Sequence, residues 1–205
     1  NFEHNYNRSY YTDNDGELKI WPGWDAEAQT THTIGYLRKR DSDNPFCLFL
    51  SWGPPHHPYR LVPKEYLNMY DPDVIEGRPN CPDVPRDDLW GYYAQTTFLD
   101  DQFQRLLDTI NDIGIEDETI IVFTSDHGDM HGSHGVYKKQ WPWSEALKVP
   151  FVVRYPNVVT QGAILDVPLS VIDIMPTLLG LAGVPIPDTV EGVDLSAVIQ
   201  GGATE

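Results

Sequence analysis

Basic residues are scarce in this chain: 14 Lys and Arg face 31 Asp and Glu in 205 residues, a formal charge of −17. A field of that sign repels phosphate backbones and anionic lipid surfaces. It excludes nucleic acid and the membrane surface as general partners and suits a protein that binds cations. Long apolar runs are missing as well; none approaches the roughly 20 residues that span a bilayer. The opening Asn1-Phe-Glu-His-Asn-Tyr-Asn7 carries no signal-peptide core and no Met, so a processed or excised piece is expected. Cysteine is limited to Cys47 and Cys81. Cys47 lies within the apolar run Phe46–Leu50, which predicts a buried free thiol rather than a disulfide and leaves the redox compartment open. Internal repeats and low-complexity tracts are absent.

What is present is enough for a core. Hydrophobic residues make up 40% of the chain, and its length suits one sizeable domain, 1–205, with an irregular lead over 1–24. A helix is expected from Asp25 to about Arg40, with Ile34 and Leu37 on one face and the basic Arg38-Lys39-Arg40 at its C-terminal end. Pro45–Trp52 and Val149–Tyr155 read as strands, with a further one at Leu165–Leu169. Residues 59–86 read as an irregular surface loop. The clearest helix runs from about Asp87 to Ile113, where Tyr92, Leu99, Phe103, Leu106, Leu107 and Ile110 recur at roughly 3.6-residue spacing and Gly114 stops it. Another runs from Ser170 or Asp173 to Leu181, with Pro176 in its first turn. Thr119–Phe123 is short, β-branched and flanked by acidic residues, the mark of a buried strand in a parallel sheet. The alternation is that of an α/β fold.

Chemistry concentrates at two places. Phe123-Thr-Ser-Asp-His-Gly-Asp-Met-His-Gly-Ser-His-Gly135 packs three His and two Asp into a Gly-rich stretch just past an apolar strand. Ligands bind at such strand ends in open α/β sheets. Asp126 and His127 are adjacent, so both can turn toward one cation. The pair His56-His57 sits between prolines at the end of a second apolar run, where the stiff backbone lowers the cost of holding a side chain in place. Lys138 and Lys139 follow the acidic loop. A metal and an ammonium side by side would hold a tetrahedral oxyanion.

Taken in order, Ser51–Tyr59, Leu99–Asp108, Phe123–Asp129, His134-Gly135, Lys139, Ser144–Pro150, Asp173–Pro185 and Glu191–Leu195 resemble the sulfatases of the alkaline phosphatase superfamily, over about residues 25 to 201. The resemblance implies an alkaline-phosphatase-like sandwich, here partial, with a mixed, mostly parallel sheet flanked by helices. It implies hydrolysis of a sulfate ester with a divalent cation, calcium in most relatives. The imidazole of His127 keeps magnesium or manganese open. By that resemblance Asp126 and His127 are metal ligands, Lys139 contacts sulfate and nucleophile, and His56 contacts sulfate and assists the leaving oxygen. His57, His131, His134 and Lys138 are weaker candidates for substrate contact. A secreted, periplasmic or lysosomal-type compartment is implied as well.

One departure stands out. The family's Cys/Ser-x-Pro-x-Arg motif, whose first residue becomes formylglycine, does not occur; Cys81-Pro-Asp-Val-Pro-Arg86 has Asp83 where Pro belongs. The N-terminal Asp pair that completes the metal site is also missing. The expectation is a partial sulfatase domain, inactive in isolation, with an exposed sheet edge inviting self-association. The alternatives are a phosphonate or phosphodiester hydrolase of the same superfamily and a non-catalytic remnant that binds a cation or anion.

Overall fold

The helix Arg86–Asp112 (α3) organises the first part of the protein, in a computed structural model that describes residues 4–201. Asp87 and Asp88 fall in its first turn, where they complement the helix dipole. Beyond Asp112 the left-handed Gly114 (φ 71°) turns the chain away. Its apolar stripe is buried through Leu89, Ala94, Phe98, Leu99, Leu106 and Ile110. Ala94, Phe98 and Leu99 pack with Ala26 and Val62, ringed by Trp24, Trp52, Tyr66, Leu67 and Tyr70. Ala26 belongs to the helix Asp25–Lys39 (α1), and Leu67 ends the short helix Lys64–Leu67 (α2). Arg105 of α3 donates to Thr31 Oγ1 of α1 at 2.8 Å.

The described chain divides into two compact units, Asn1–Ile113 with His127–Lys148, and Gly114–Asp126 with Val149–Glu205. Residues 1–3 and 202–205, including the start of the expected lead segment, lie outside the described residues.

In the first unit the lead is not irregular throughout. Strands Tyr10–Thr12 (β1) and Leu18–Ile20 (β2) pair antiparallel, Tyr10 opposite Ile20. The Asp13 carboxylate closes the turn by accepting from Asp15 N and Glu17 N, at 3.1 and 2.9 Å. The expected strand over 45–52 does not form. An apolar run makes a strand only where it finds a pairing edge, and among the described residues none pairs with it. Phe49 is accordingly 90% exposed, and Cys47 is a free but exposed thiol rather than a buried one.

In the second unit Ile121–Thr124 (β3) pairs with Phe151–Arg154 (β4), with Ile121 opposite Arg154. The pairing is antiparallel, not the parallel arrangement expected of β3, and both sheets among the described residues are two-stranded. Arg154 ties back to Glu116 through a salt bridge. Leu165–Leu169 is not a strand. The helix Val171–Leu181 (α5) starts with a capping box in which Ser170 N donates to Asp173 Oδ2 at 2.8 Å. Pro176 therefore stands in the second turn rather than the first, fully buried. It cannot donate to the Ile172 carbonyl, and the strap at Gly192 comes so close there that a Cβ would lie 2.2 Å from that oxygen. Asp173 also accepts from Val193 N at 2.8 Å, and these backbone donors hold its carboxyl below the usual range. Helix Ser196–Ile199 closes the unit.

Candidate active site

The His56-His57 pair is placed by α3. Gly91 meets the chain so closely that a Cβ there would lie 2.6 Å from the Tyr59 carbonyl carbon. One turn on, the fully buried Gln95 donates Nε2 to the carbonyls of Pro58 and Leu61, at 2.9 and 3.3 Å. A residue without a side chain and an amide donor thus pin the segment that follows the pair. Tyr6 donates its hydroxyl to the carbonyls of both histidines, at 2.9 and 3.2 Å. His56 Nδ1 lies 2.8 Å from the His57 carbonyl. A carbonyl can only accept, so Nδ1 carries the proton and Nε2 is the nitrogen left for chemistry.

His4, which no spacing argument singled out, stacks on His56 with ring centroids 4.3 Å apart. Its pKa is lowered, first by burial and then by the positive potentials of His56, Lys139 and His57. Lys139, more than eighty residues from the His pair in sequence, is thus among the groups whose charge acts on His4.

Lys139 is carried by a loop of unusual backbone. His131, His134, Lys138 and Gln140 all have positive φ, between 41° and 74°. Left-handed residues other than glycine cost about 1–3 kcal/mol each and persist where the surroundings over-determine them. Here the surroundings are hydrogen bonds. Met130 N donates to Lys138 O at 2.8 Å, Gly132 N to Val136 O at 3.0 Å, and Gly128 N to Ala146 O at 2.8 Å. Ala146 lies in the short helix Ser144–Leu147 (α4), which approaches Gly128 so nearly that a Cβ there would sit 1.9 Å from Glu145 O.

The remaining candidates fall into separate groups. His127 Nδ1 lies 2.7 Å from the Gly128 carbonyl, so this ring too presents Nε2 outward from its own backbone. Asp126, whose Oδ1 is 3.3 Å from Ser125 Oγ, ends the preceding segment of the other unit. His131 is buried, 4.5 Å from Tyr92 and 5.0 Å from Tyr59 between ring centroids. Burial lowers its pKa, and its Nε2 has no hydrogen-bond partner among the described residues. Beside it Asp129 accepts from the Tyr59 hydroxyl at 2.7 Å and from His131 N at 3.0 Å, while Arg78 donates to the carbonyls of Asp129 and Met130. His134 packs flat on Trp143, 4.7 Å between centroids, with Nε2 3.1 Å from Asn80 Nδ2. Lys138 contributes its carbonyl to the loop and leaves its side chain exposed. Gln95, Tyr6, Asn80 and Arg78 were invisible to sequence reasoning, because each acts across long sequence separations.

The sequence pattern of the sulfatases matches residues 1–184. The chain belongs to the sulfatase family. It is 38% identical, over 96% of its length, to an ulvan-active sulfatase of Formosa agariphila, and 31% identical over 89% to an endo-4-O-sulfatase of Bacteroides thetaiotaomicron. It spans about 40% of the length of these relatives. A putative sulfatase of Bacteroides fragilis superimposes with a TM-score of 0.91 at 28% identity, covering 98% of this chain and 47% of that one. The fold is thus the alkaline-phosphatase-like α/β fold of the sulfatases, in part. Among the described residues no helix is long and apolar enough to cross a membrane.

The family's divalent metal would need several donors from this chain. Among the described residues no group of three or more His, Cys, Asp or Glu could hold a metal ion. A hard cation such as calcium takes about six to eight oxygens. Asp126 and His127 offer one carboxylate and one imidazole, so these residues do not make a metal site by themselves.

Proposed function

We propose that this sulfatase segment supplies the sulfate-recognising and leaving-group side of a sulfuric ester hydrolase. What supports the reading is the stacking of His4 on His56 and the charge of Lys139 acting on His4, in a chain of net charge −17. A basic cluster against that background concentrates a sulfate monoester where the average field would repel it. In the family the nucleophile is formylglycine and a divalent cation, calcium in most relatives, shares the sulfate charge. By the family resemblance, Asp126 and His127 would contribute to holding that cation.

The residues present have defined tasks. The Lys139 ammonium offsets charge growing on the sulfate oxygens as sulfur changes partners. His56 has Nδ1–H committed to the His57 carbonyl, so a protonated ring offers Nε2–H to the ester oxygen. As the sulfur–oxygen ester bond breaks, that proton passes to the departing alkoxide and the product leaves as an alcohol.

The test is turnover of nitrophenyl sulfate and of an alkyl sulfate by an enzyme that carries this segment together with the formylglycine motif. Lys139→Ala lowers turnover by about 10²–10³-fold on both. His56→Ala costs the alkyl ester far more than the nitrophenyl ester, because nitrophenolate leaves without a proton. Near-wild-type turnover of Lys139→Ala, or equal losses on both esters for His56→Ala, overturns the assignments. A phosphodiester run in parallel separates this reaction from phosphodiester hydrolysis.

A further inference from the structure

The two stretches that carry His56-His57 and Lys139 meet at a buried aromatic box in the first unit. Tyr59, two residues past His57, is 6% exposed and donates its hydroxyl to Asp129 Oδ2 at 2.7 Å, seventy residues away. The other oxygen of Asp129 accepts from His131 N at 3.0 Å. The His131 ring, equally buried, stands 5.0 Å from Tyr59 and 4.5 Å from Tyr92 of α3 between centroids. Tyr59 also meets the His57 ring edge-on at 5.6 Å. On the other side Met130 N, between Asp129 and His131, donates to the carbonyl of Lys138, the neighbour of Lys139. One ring nitrogen of the box is left over. His131 Nδ1 lies 3.8 Å from Asp129 Oδ1, too far for a hydrogen bond, and Nε2 has no partner among the described residues. The charged and titratable groups that face His131 are Asp129, Arg78, Asp88 and Tyr92 of α3, Tyr59, and the Cys81 thiol on its carbonyl. Burial lowers the His131 pKa most, Arg78 adds to that, and Asp129 and Asp88 oppose it. The box therefore accommodates the neutral ring.

We propose that Tyr59, Asp129 and His131 are positioning residues that clamp the His56-His57 segment to the Lys139 loop, and that a proton on His131 opens the clamp. The inference rests on the reading of His56, His57 and Lys139 as sulfate-recognising. Protonation makes both ring nitrogens donors, and Nδ1–H then competes for Asp129, whose oxygens already serve Tyr59 and His131 N. A charged ring enclosed by two tyrosines also loses its hydration. Opened to water, the ring takes its proton at the ordinary pKa, so acid favours the open form. Because the pKa is depressed in the closed form, closure is complete above the ordinary value of 6.5 and is lost as pH falls through the lowered one.

The test follows the isotopically labelled 205-residue chain by nuclear magnetic resonance from about pH 8 to about pH 5. The His131 imidazole should titrate below 6.5, and the Tyr59 ring and Lys139 amide should shift with the same midpoint. Tyr59→Phe frees Asp129 for His131, so the His131 midpoint rises. The same variant weakens the binding of sodium sulfate at about pH 7.5 by about tenfold, the scale for losing a hydrogen bond to a charged acceptor. A tyrosine that only filled space would leave the midpoint unmoved. His131→Phe keeps a ring in the box, His131→Asn suits its left-handed backbone (φ 41°), and neither takes a proton. At about pH 5 both should bind sulfate more tightly than wild type, and at about pH 7.5 no more tightly; the other histidines are common to all three proteins. The proposal is overturned if Tyr59→Phe leaves the His131 midpoint in place, if both His131 variants follow the wild-type pH dependence of sulfate binding, or if the whole chain unfolds as His131 titrates. Linked titration without any sulfate binding sinks the sulfate-recognising reading alone, and saturable sulfate binding with an unmoved midpoint sinks the clamp alone.

Discussion

Asp25 offers a quantitative test of how the first unit holds together. It is the first residue of α1, 6% exposed, accepting from Ala26 N at 2.7 Å and Ser9 Oγ at 3.2 Å. No cation pairs with it among the described side chains, and burial pushes its pKa up to about 6. A folded-state pKa above the unfolded one means that folding favours the proton. The stabilisation is fully present below the unfolded pKa of 3.8 and is lost as pH rises through about 6. Two pKa units correspond to about 3 kcal/mol for a carboxyl wholly cut off from water. Asp25 lines an open aromatic cavity with Tyr6, Tyr11 and Trp21, so solvent screening brings the effect nearer 1–2 kcal/mol. Between about pH 5 and pH 8 roughly 1 kcal/mol of this should disappear. Asp25→Asn keeps an acceptor for Ala26 N and removes the charge. Urea unfolding at both pH values should show a flatter pH dependence in the variant by that amount, and equal or greater stability at the higher pH. Parallel pH slopes for the two proteins would refute the claim that the buried carboxyl is responsible.

Gly91→Ala should destabilise the protein by about 1–3 kcal/mol, because its methyl group enters the Tyr59–Arg60 backbone, and nuclear magnetic resonance should show the His56 and His57 rings displaced. An unchanged midpoint of urea unfolding would contradict the close contact. The isolated chain should release no sulfate from nitrophenyl sulfate with calcium or manganese added, since charge stabilisation does not replace a covalent nucleophile. Light scattering should show it self-associating, because Phe49 and Leu48 stand in solvent on a segment that pairs with no strand among the described residues. Metal-dependent turnover by a monodisperse monomer would contradict both statements.

The helices were legible because their signals are local. The stripe and the acidic first turn lie within α3 and Gly114 stands two residues past its end, while Ser170 and Asp173, three positions on, form a capping box. Strands depend on partners, which is why 45–52 was misread from its apolar run and why β3 was assigned the wrong pairing direction. The hairpin over 10–20 did leave a mark, the Asp15-Gly16 turn, but its strands are short and exposed and show no alternation. Around the site, residue types pointed to His56, His57, Lys138 and Lys139, and the family resemblance singled out His56 and Lys139. The signals failed for His4, Gln95 and Tyr6, whose partners lie between thirty-four and fifty-two residues away. They also gave no hint that His131 is enclosed by Tyr59 and Tyr92, an outcome of the left-handed loop backbone rather than of any spacing.

The central claim is that His4, His56, His57 and Lys139 form one anion-recognising cluster. Titration of the isotopically labelled chain with sodium sulfate, following the imidazole resonances, tests it most directly. Saturable shifts at His4, His56 and His57, with little change at His32 and His131, and their loss in Lys139→Ala, are the predicted result. Shifts that never saturate, or that persist unchanged in Lys139→Ala, would contradict it.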